Sequence, residues 1–452
     1  MPPRQGLLVR AIAVILTGSL AAGWAVGGRT APAEHALAAP HAAFLPATSC
    51  SAAACHGGNQ LGRPGSEYTA WAPELDASGP HDPHSHAHRA LFNDDSLRIA
   101  KLLGGGPAHE NRLCVKCHAP NPAARAEGVG CTSCHGRGDV WLTEHYLPTW
   151  KAKTNRDKAA TGFISTKNLA TRVAGCAACH VGSDDREVNH DLIAAGHPRL
   201  AFEAACFHFQ PHYRKHWNEP RETELRLWAI GQAASARAAV QLLRSRAERA
   251  ARNVAPWPEF AGYGCYACHQ SLGADNRTGG SSRPKWEPWY TAALDRSTSH
   301  SAKLFSIDSP NLRDLDDLKA LMAGANPSAR EAAKQAAAAL TELDAWLARM
   351  QAAEDRTSGS GVSEDQTARL MRDLTHDALT ASNRDWDSQA MRYLGCAASY
   401  HAAGGAFARP GWSEPIRDLN RMLGSPAAFK RMEPGRLDRA FRQLHDAAGA
   451  PR

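Results

Sequence analysis

The sequence predicts a mainly α-helical protein whose two halves are built differently. Apolar residues recur at helical spacing from about Glu222 to Arg249, and capping-box patterns open further helices towards the C-terminus. Alternating strand patterns are scarce, and glycine and proline punctuate the N-terminal half, as at 104–107. We therefore expect an irregular N-terminal fold of short helices and loops, followed by a helical C-terminal region.

The composition is that of a globular protein with unusual amounts of cysteine and histidine. Of the 452 residues, 43% are hydrophobic and 21% are charged, which argues against collagen-like, polytopic membrane and wholly disordered proteins. The net charge of +7 comes from basic residues scattered along the chain, so nucleic acid is not an expected partner. The 12 cysteines and 22 histidines are the features that need an explanation.

Residues 1–33 have the layout of an export signal. Arg4 and Arg10 precede an uncharged run of 18 residues, 11–28, and Arg29 ends it. Small residues at 31–33 offer a cleavage pattern, but a run of this length could also remain as a tilted membrane anchor. We expect a periplasmic or otherwise extracytoplasmic protein, with cleavage and N-terminal anchoring both left open.

The pattern Cys-x-x-Cys-His occurs four times between residues 114 and 269. The four copies are Cys114–His118, Cys131–His135, Cys176–His180 and Cys265–His269. A fifth, looser copy runs from Cys50 through Cys55 to His56, with four residues between its thiols instead of two.

This pattern is typical of covalent c-type haem attachment. The two thiols add across the vinyl groups of the porphyrin, and the adjacent imidazole becomes the proximal ligand of the iron. Zinc is the rival, because the first two tight copies lie 13 residues apart, but zinc gives no reason for a histidine after every pair.

We therefore expect about five covalent haem c groups. The attachment residues are Cys50, Cys55, Cys114, Cys117, Cys131, Cys134, Cys176, Cys179, Cys265 and Cys268. The proximal iron ligands are His56, His118, His135, His180 and His269. Cys206 and Cys396 are left over, and either form a disulfide or lie apart as small buried side chains.

The far side of each iron is either ligated or open. No methionine lies between the export segment and the last motif, so ligation by a second histidine is the leading expectation, with low reduction potentials. Five candidate distal ligands lie close to the motifs in polar and glycine-rich surroundings: His84, His109, His145, His190 and His197.

The other histidines receive plainer interpretations. His86 and His88 compete with His84 for the same iron. The cluster around Cys206 is interpreted as a solvated helix face, and it consists of His208, His212 and His216. Four more are interpreted as ordinary polar residues: His300, His376, His401 and His445.

We divide the chain at two changes of composition. A pentahaem region at 34–272 follows the export segment, a glycine- and proline-rich linker occupies 273–290, and a helical region fills 291–452. The tail lacks haem motifs and catalytic signatures, so packing or partner docking is its expected role.

Three helices are predicted within the C-terminal region. Capping boxes that begin at Ser328 and Ser363 predict helices near 329–353 and 364–381, and a third is predicted from about Trp386 to His401.

About half of the chain, residues 48–270, resembles a known family. The shared features are CSAAACHGG at 50–58, DPHSHAHRALF at 82–92, GVGCTSCHG at 128–136 and CAACHVG followed by NHDLIAAGHPRL. They resemble the multihaem c-type cytochromes related to hydroxylamine oxidoreductase and to the tetrahaem cytochrome that receives its electrons. The resemblance implies an irregular multihaem cytochrome c fold.

The resemblance also bears on the distal ligands. It places them at His84, His145, His190 and His197, and it supports His109 least. The chain departs from the family in encoding only five haems, and nothing in it matches the specialised cross-linked catalytic haem of hydroxylamine oxidoreductase.

We expect an exported multihaem cytochrome that transfers electrons between redox partner proteins, either other cytochromes or membrane quinone-linked complexes. No catalytic residue is assigned. The alternative is a multihaem oxidoreductase that acts on a small nitrogen or sulfur compound at one haem with an open distal position. His109 is the weak point, because one haem would stay five-coordinate if this residue reaches no iron.

Overall fold

The computed structural model describes residues 44–72, 82–210, 216–217, 219–269, 285–357, 362–381, 384–405, 409–425 and 435–450. The predicted export segment 1–33 and most of the predicted linker lie outside these residues. Within the described residues the chain is mainly helical, which confirms the mainly α class. Their β structure is limited to isolated bridges, Ser183 with Arg186 and Tyr263 with Trp286.

The N-terminal half consists of short helices joined by loops and 3₁₀ turns, as the glycine and proline pattern predicts. Its helices are α1 (Glu67–Trp71), α2 (Asp94–Leu103), α3 (Arg112–His118), α4 (Cys131–His135), α5 (Gly138–Trp141), α6 (Pro148–Ala152), α7 (Asn155–Ala160), α8 (Leu169–His180), α9 (His190–Ala194) and α10 (Ala204–His208).

Asparagine side chains cap α3, α8 and α9, and Asn93 caps α2 in the same way. The side chains of Asn111, Asn168 and Asn189 accept hydrogen bonds from backbone amides in the first turns of α3, α8 and α9. Two of these helices end in a Cys-x-x-Cys-His motif, and the third begins with His190. The caps therefore set the position of two of the motifs and of His190.

The helices that follow are α11 (Thr223–Ala251), α12 (Cys265–Cys268), α13 (Pro288–Thr291), α14 (Leu294–Phe305), α15 (Arg313–Met322), α16 (Ala329–Thr357), α17 (Glu364–Thr380), α18 (Trp386–Ala402), α19 (Pro410–Leu423) and α20 (Arg436–Gly449). They are mostly longer, apart from α12 and α13. The four helices predicted from the sequence are α11, α16, α17 and α18, and the structure confirms all four to within a few residues.

The two longest helices, α11 and α16, pack against each other in opposite directions. Arg226 lies 3.4 Å from Glu354, while Arg237, further along α11, pairs with Asp344, which comes earlier on α16. Trp228 on α11 is fully buried within the same core.

The largest core extends across the predicted boundary between the two regions. It runs from Leu169 on α8 to Ala448 on α20, and it includes Trp286 and Trp289 from the end of the predicted linker. Residues 44–168 contribute only small apolar clusters, one around Leu91 and one around Ile99. Protein side chains alone therefore form no continuous core among the described residues of 44–168.

No helix among the described residues is long and apolar enough to span a membrane.

Candidate cofactor sites formed by histidine pairs

Each motif histidine lies opposite one histidine from outside the motifs. We number the five sites in chain order of their motifs. The pairs, with the distance between ring centres and the angle between ring planes, are site 1, His56 and His145 (6.2 Å, 11°); site 2, His118 and His197 (6.5 Å, 89°); site 3, His135 and His216 (6.4 Å, 27°); site 4, His180 and His84 (6.0 Å, 84°); and site 5, His269 and His190 (6.2 Å, 20°).

These distances fit two imidazoles that ligate one metal from opposite sides. Metal–nitrogen bonds of about 2 Å on each side place the two ring centres about 6 Å apart. Distance alone does not define a site, since aromatic pairs often have this spacing and His376 lies 6.3 Å from His445 without nearby cysteines in sequence. The distinguishing feature is that every pair joins one motif histidine to one histidine from elsewhere in the chain.

Carboxylates orient one histidine in each of two sites. The Nδ1 of His56 donates to Glu67 at 2.8 Å, and the Nδ1 of His84 donates to Asp82 at 3.0 Å. Burial alone would raise the pKa of Glu67, but hydrogen bonds from His56 and the backbone outweigh it and lower the pKa. A carboxylate on the second ring nitrogen is the usual partner of a metal-ligating histidine.

Backbone carbonyls orient three more site histidines. The Nδ1 of His118, His145 and His197 lies 3.0, 2.7 and 2.8 Å from the carbonyl oxygens of Ala87, Leu142 and Pro198. Because a carbonyl oxygen only accepts, Nδ1 is the donor in each of these hydrogen bonds, and in the neutral tautomer that fits this contact Nε2 keeps the lone pair that a metal requires.

Burial favours the neutral form of several site histidines. Desolvation lowers the pKa of His135 and His180 to about 4, and it also lowers the pKa values of His118, His197 and His216. Neutral imidazole is the form that ligates a metal, so these rings are in the required state at neutral pH.

The motif thiols of different sites lie beside each other. Cys50 is in hydrogen-bonding contact with Cys131, and Cys117 is in the same contact with Cys179. This contact lowers the pKa of Cys50 and of Cys179 to about 7, because each thiolate accepts from its neighbour. Cys117 and Cys131, one from each of the two closely spaced motifs, therefore each lie beside a thiol of a different motif.

No group of three or more histidine, cysteine, aspartate or glutamate side chains in the described segments is arranged to hold a metal ion. All twelve cysteines are unpaired by disulfides. Cys396 is buried and Cys206 is half-buried, and burial raises the pKa of both, which agrees with the expectation of small buried side chains rather than a disulfide.

Four of the five candidate distal ligands lie opposite a motif histidine: His84, His145, His190 and His197. His109 does not. Its ring stacks on Phe92 at 4.5 Å, because the turn before α3 aims it at that side chain. His88 packs against the same phenylalanine at 5.2 Å.

His216 takes the position that His109 leaves, opposite His135. The prediction that the histidine cluster around Cys206 forms a solvated helix face is wrong for His208, because His208 is buried. His216 is half-buried. His212 lies outside the described residues. The signal that sequence reasoning passed over was the cluster of histidines with an adjacent tryptophan between the fourth and fifth motifs.

Comparisons of the chain with protein-family models, with curated proteins and with solved structures found no match. The motif cysteines and the five histidine pairs are therefore the features of this chain on which a function can be based.

Proposed function

We propose that the protein is an exported multihaem c-type cytochrome, which transfers electrons through five covalently bound haems that are each ligated by two histidines. The pairing of every motif histidine with one histidine from elsewhere carries this proposal. Random placement of 22 histidines gives no reason for such a one-to-one match with the motifs. The resemblance of residues 48–270 to multihaem cytochromes supports it from the sequence.

Three kinds of residue hold each proposed haem. The motif cysteines hold the porphyrin, the motif histidine ligates the iron from one side, and the opposite histidine ligates it from the other. Haem supplies a one-electron couple, and the protein sets its reduction potential through the ligands, their hydrogen bonds and burial. The small size of the apolar clusters in residues 44–168 is expected if cofactors form much of the core there.

Contacts between sites give a spatial order that differs from chain order. The thiol contacts join site 1 to site 3 and site 2 to site 4. Cys134 of site 3 lies near Cys176 and Cys179 of site 4. His190 of site 5 begins α9, and His197 of site 2 follows the same helix. We infer the order 1–3–4–2–5, with sites 1 and 5 at the ends as entry and exit for electrons.

The oxidoreductase alternative needs an iron with an open position. Each motif histidine has an opposite histidine in the described residues, which favours electron transfer over that alternative. The partners that fit are other redox proteins, either cytochromes or membrane quinone-linked complexes.

The proposed compartment is extracytoplasmic. Residues 1–33 have the pattern of an export signal or anchor, and the motif thiols have to stay reduced until haem is attached. A protein retained in the cytoplasm is accordingly expected to be colourless.

The test is the intact mass of the full chain, produced in a host with c-type haem maturation and measured under denaturing conditions. We expect the mass of five haems in addition to the polypeptide. The C50A/C55A double variant should lose one haem, whereas the C206A/C396A variant should keep all five. A chain without haem would refute the proposal, and four haems in the unmodified chain would remove site 1 from it.

A further inference from the structure

Site 3 differs from the other sites in how its non-motif histidine is held. His216 stands beside Trp217, with ring centres 4.9 Å apart. Arg172 on α8, which is only 5% exposed, contacts both Trp217 and Glu219, which lie close to His216 in the chain. This helix also carries the motif of site 4, and Cys176 follows Arg172 by one helical turn.

The guanidinium of Arg172 forms hydrogen bonds along its edges and stacks on an aromatic ring with one face. Its two terminal nitrogens donate to the two carboxylate oxygens of Glu219 at 2.8 and 2.7 Å, and its Nε donates to the carbonyl oxygen of Thr166 at 2.6 Å. The guanidinium carbon lies 4.0 Å from the centre of the Trp217 ring. A planar fork that also stacks on an aromatic ring is a geometry that lysine does not reproduce.

A buried histidine completes the cluster. The Nε2 of His208 lies 3.0 Å from Glu219, and its ring centre lies 5.7 Å from that of Trp217. Burial alone would raise the pKa of Glu219, but hydrogen bonds from His208 and Arg172 outweigh it and lower the pKa to about 2. The cluster therefore contains a charged ion pair at neutral pH.

A buried ion pair of this kind adds little to stability compared with apolar packing, but it fixes one geometry. Here it fixes His208 and Glu219, which precede and follow His216 in the chain. We propose that Arg172 is a positioning residue for site 3, which holds His216 opposite His135. The inference rests on the proposed function, since it assigns a role at one of the haem sites.

The proposal connects sites 3 and 4, which are neighbours in the inferred order. Residues of α8 attach the cofactor of site 4, and Arg172 on the same helix sets the distal ligand of site 3. Loss of the guanidinium should let His216 leave the iron of site 3, so that this haem becomes five-coordinate and open to carbon monoxide.

The test compares R172K with a matched control, R226K. Arg226 is also buried, at 8% exposure, and pairs with Glu354 at 3.4 Å between α11 and α16. In R172K we expect about one fifth of the haem to become high-spin and to bind carbon monoxide, with five covalent haems retained. In R226K we expect every haem to stay low-spin.

A second variant covers the case in which R172K is not produced. E219Q keeps the shape of the carboxylate but removes its charge and one acceptor, so it should show the same high-spin component. Fully low-spin spectra in the Arg172 or Glu219 variants would overturn the positioning role. An unmodified protein that lacks covalent haem would instead refute the proposed function, so the two failures are distinguishable.

Discussion

At the residue scale, Glu67 is expected to tune the haem proposed at site 1. Its carboxylate accepts a hydrogen bond from the Nδ1 of His56, which would make that imidazole a stronger donor and stabilise the oxidised iron. E67Q should raise the reduction potential of one haem by about 30–60 mV, which corresponds to a change of about threefold to tenfold in the one-electron equilibrium constant.

The control for this prediction is E110Q. Glu110 also lies near a histidine, 3.7 Å from His109, but that histidine belongs to none of the five pairs. Spectroelectrochemical titration should show one shifted haem in E67Q and none in E110Q. Identical titrations of E67Q and the unmodified protein would contradict the assignment of His56 as a ligand.

His216 and His109 give the sharpest residue-level contrast. H216A removes the ring opposite His135, so one of the five haems should change from low-spin to high-spin. H109A removes a ring that stacks on Phe92, so it should leave the spin states unchanged. The optical and EPR spectra of the two variants measure this directly, and the reverse result would return His109 to the distal position.

The difference between these two histidines shows what the sequence can predict about the sites. Motif cysteines and histidines are recognisable because attachment chemistry fixes their spacing. A distal ligand has no fixed spacing, since the fold brings it from another part of the chain. The four candidates that lie opposite a motif histidine are close to glycine-rich turns. His216 lies far from His135 in sequence, and its position opposite His135 depends on the contacts among Arg172, Trp217 and Glu219.

At the scale of the element, the long helices carry most of the protein-only packing. Trp346 on α16 is completely buried, and W346A should lower the free energy of unfolding by about 3–5 kcal/mol. Arg349, which follows on an exposed face of the same helix, serves as the control, and R349A should change it by less than about 0.5 kcal/mol. Denaturant titration followed by circular dichroism tests both.

The same helices show why helix positions could be predicted from the sequence in the C-terminal half and less well in the N-terminal half. Apolar periodicity and capping boxes are local signals, and they place α11, α16 and α17 to within a few residues. In the other half, helices such as α4 and α5 span a single turn, and their positions depend on contacts between distant loops. Such contacts leave no periodic signal in the sequence.

At the scale of the whole molecule, a buried charged cluster joins the two halves. Arg199, just after site 2 in the chain, lies 2.8 Å from Asp387 on α18. Glu287 is buried beside them, and its burial raises its pKa to about 7, although Arg199 and Arg246 oppose the shift. The cluster ties the loop that carries His197 to the C-terminal helices.

Glu287 gives the stability of the protein a defined pH dependence. Because its pKa is higher in the folded chain than the ordinary value of 4.5, the folded state binds the proton more tightly than the unfolded state. Its contribution is complete below about pH 4.5 and declines by about 3 kcal/mol as the pH rises through about 7. E287Q should remove this decline and stabilise the protein at pH 8.

The measurement is the free energy of unfolding of E287Q and the unmodified protein between pH 5 and pH 8. Substitution of an exposed carboxylate, E331Q, serves as the control and should preserve the unmodified profile. A decline of the same size in E287Q would show that another group causes it.

The central claim is that five haems are each ligated by two histidines, and quantitative low-temperature EPR of the oxidised protein tests it most directly. Low-spin haems with nearly parallel imidazole planes give rhombic signals, whereas perpendicular planes give highly anisotropic ones. Three pairs are close to parallel, at 11°, 20° and 27°, and two are close to perpendicular, at 84° and 89°. We expect rhombic and highly anisotropic signals in the ratio 3:2 with no high-spin iron. A high-spin component of one haem or more in the unmodified protein would contradict the claim.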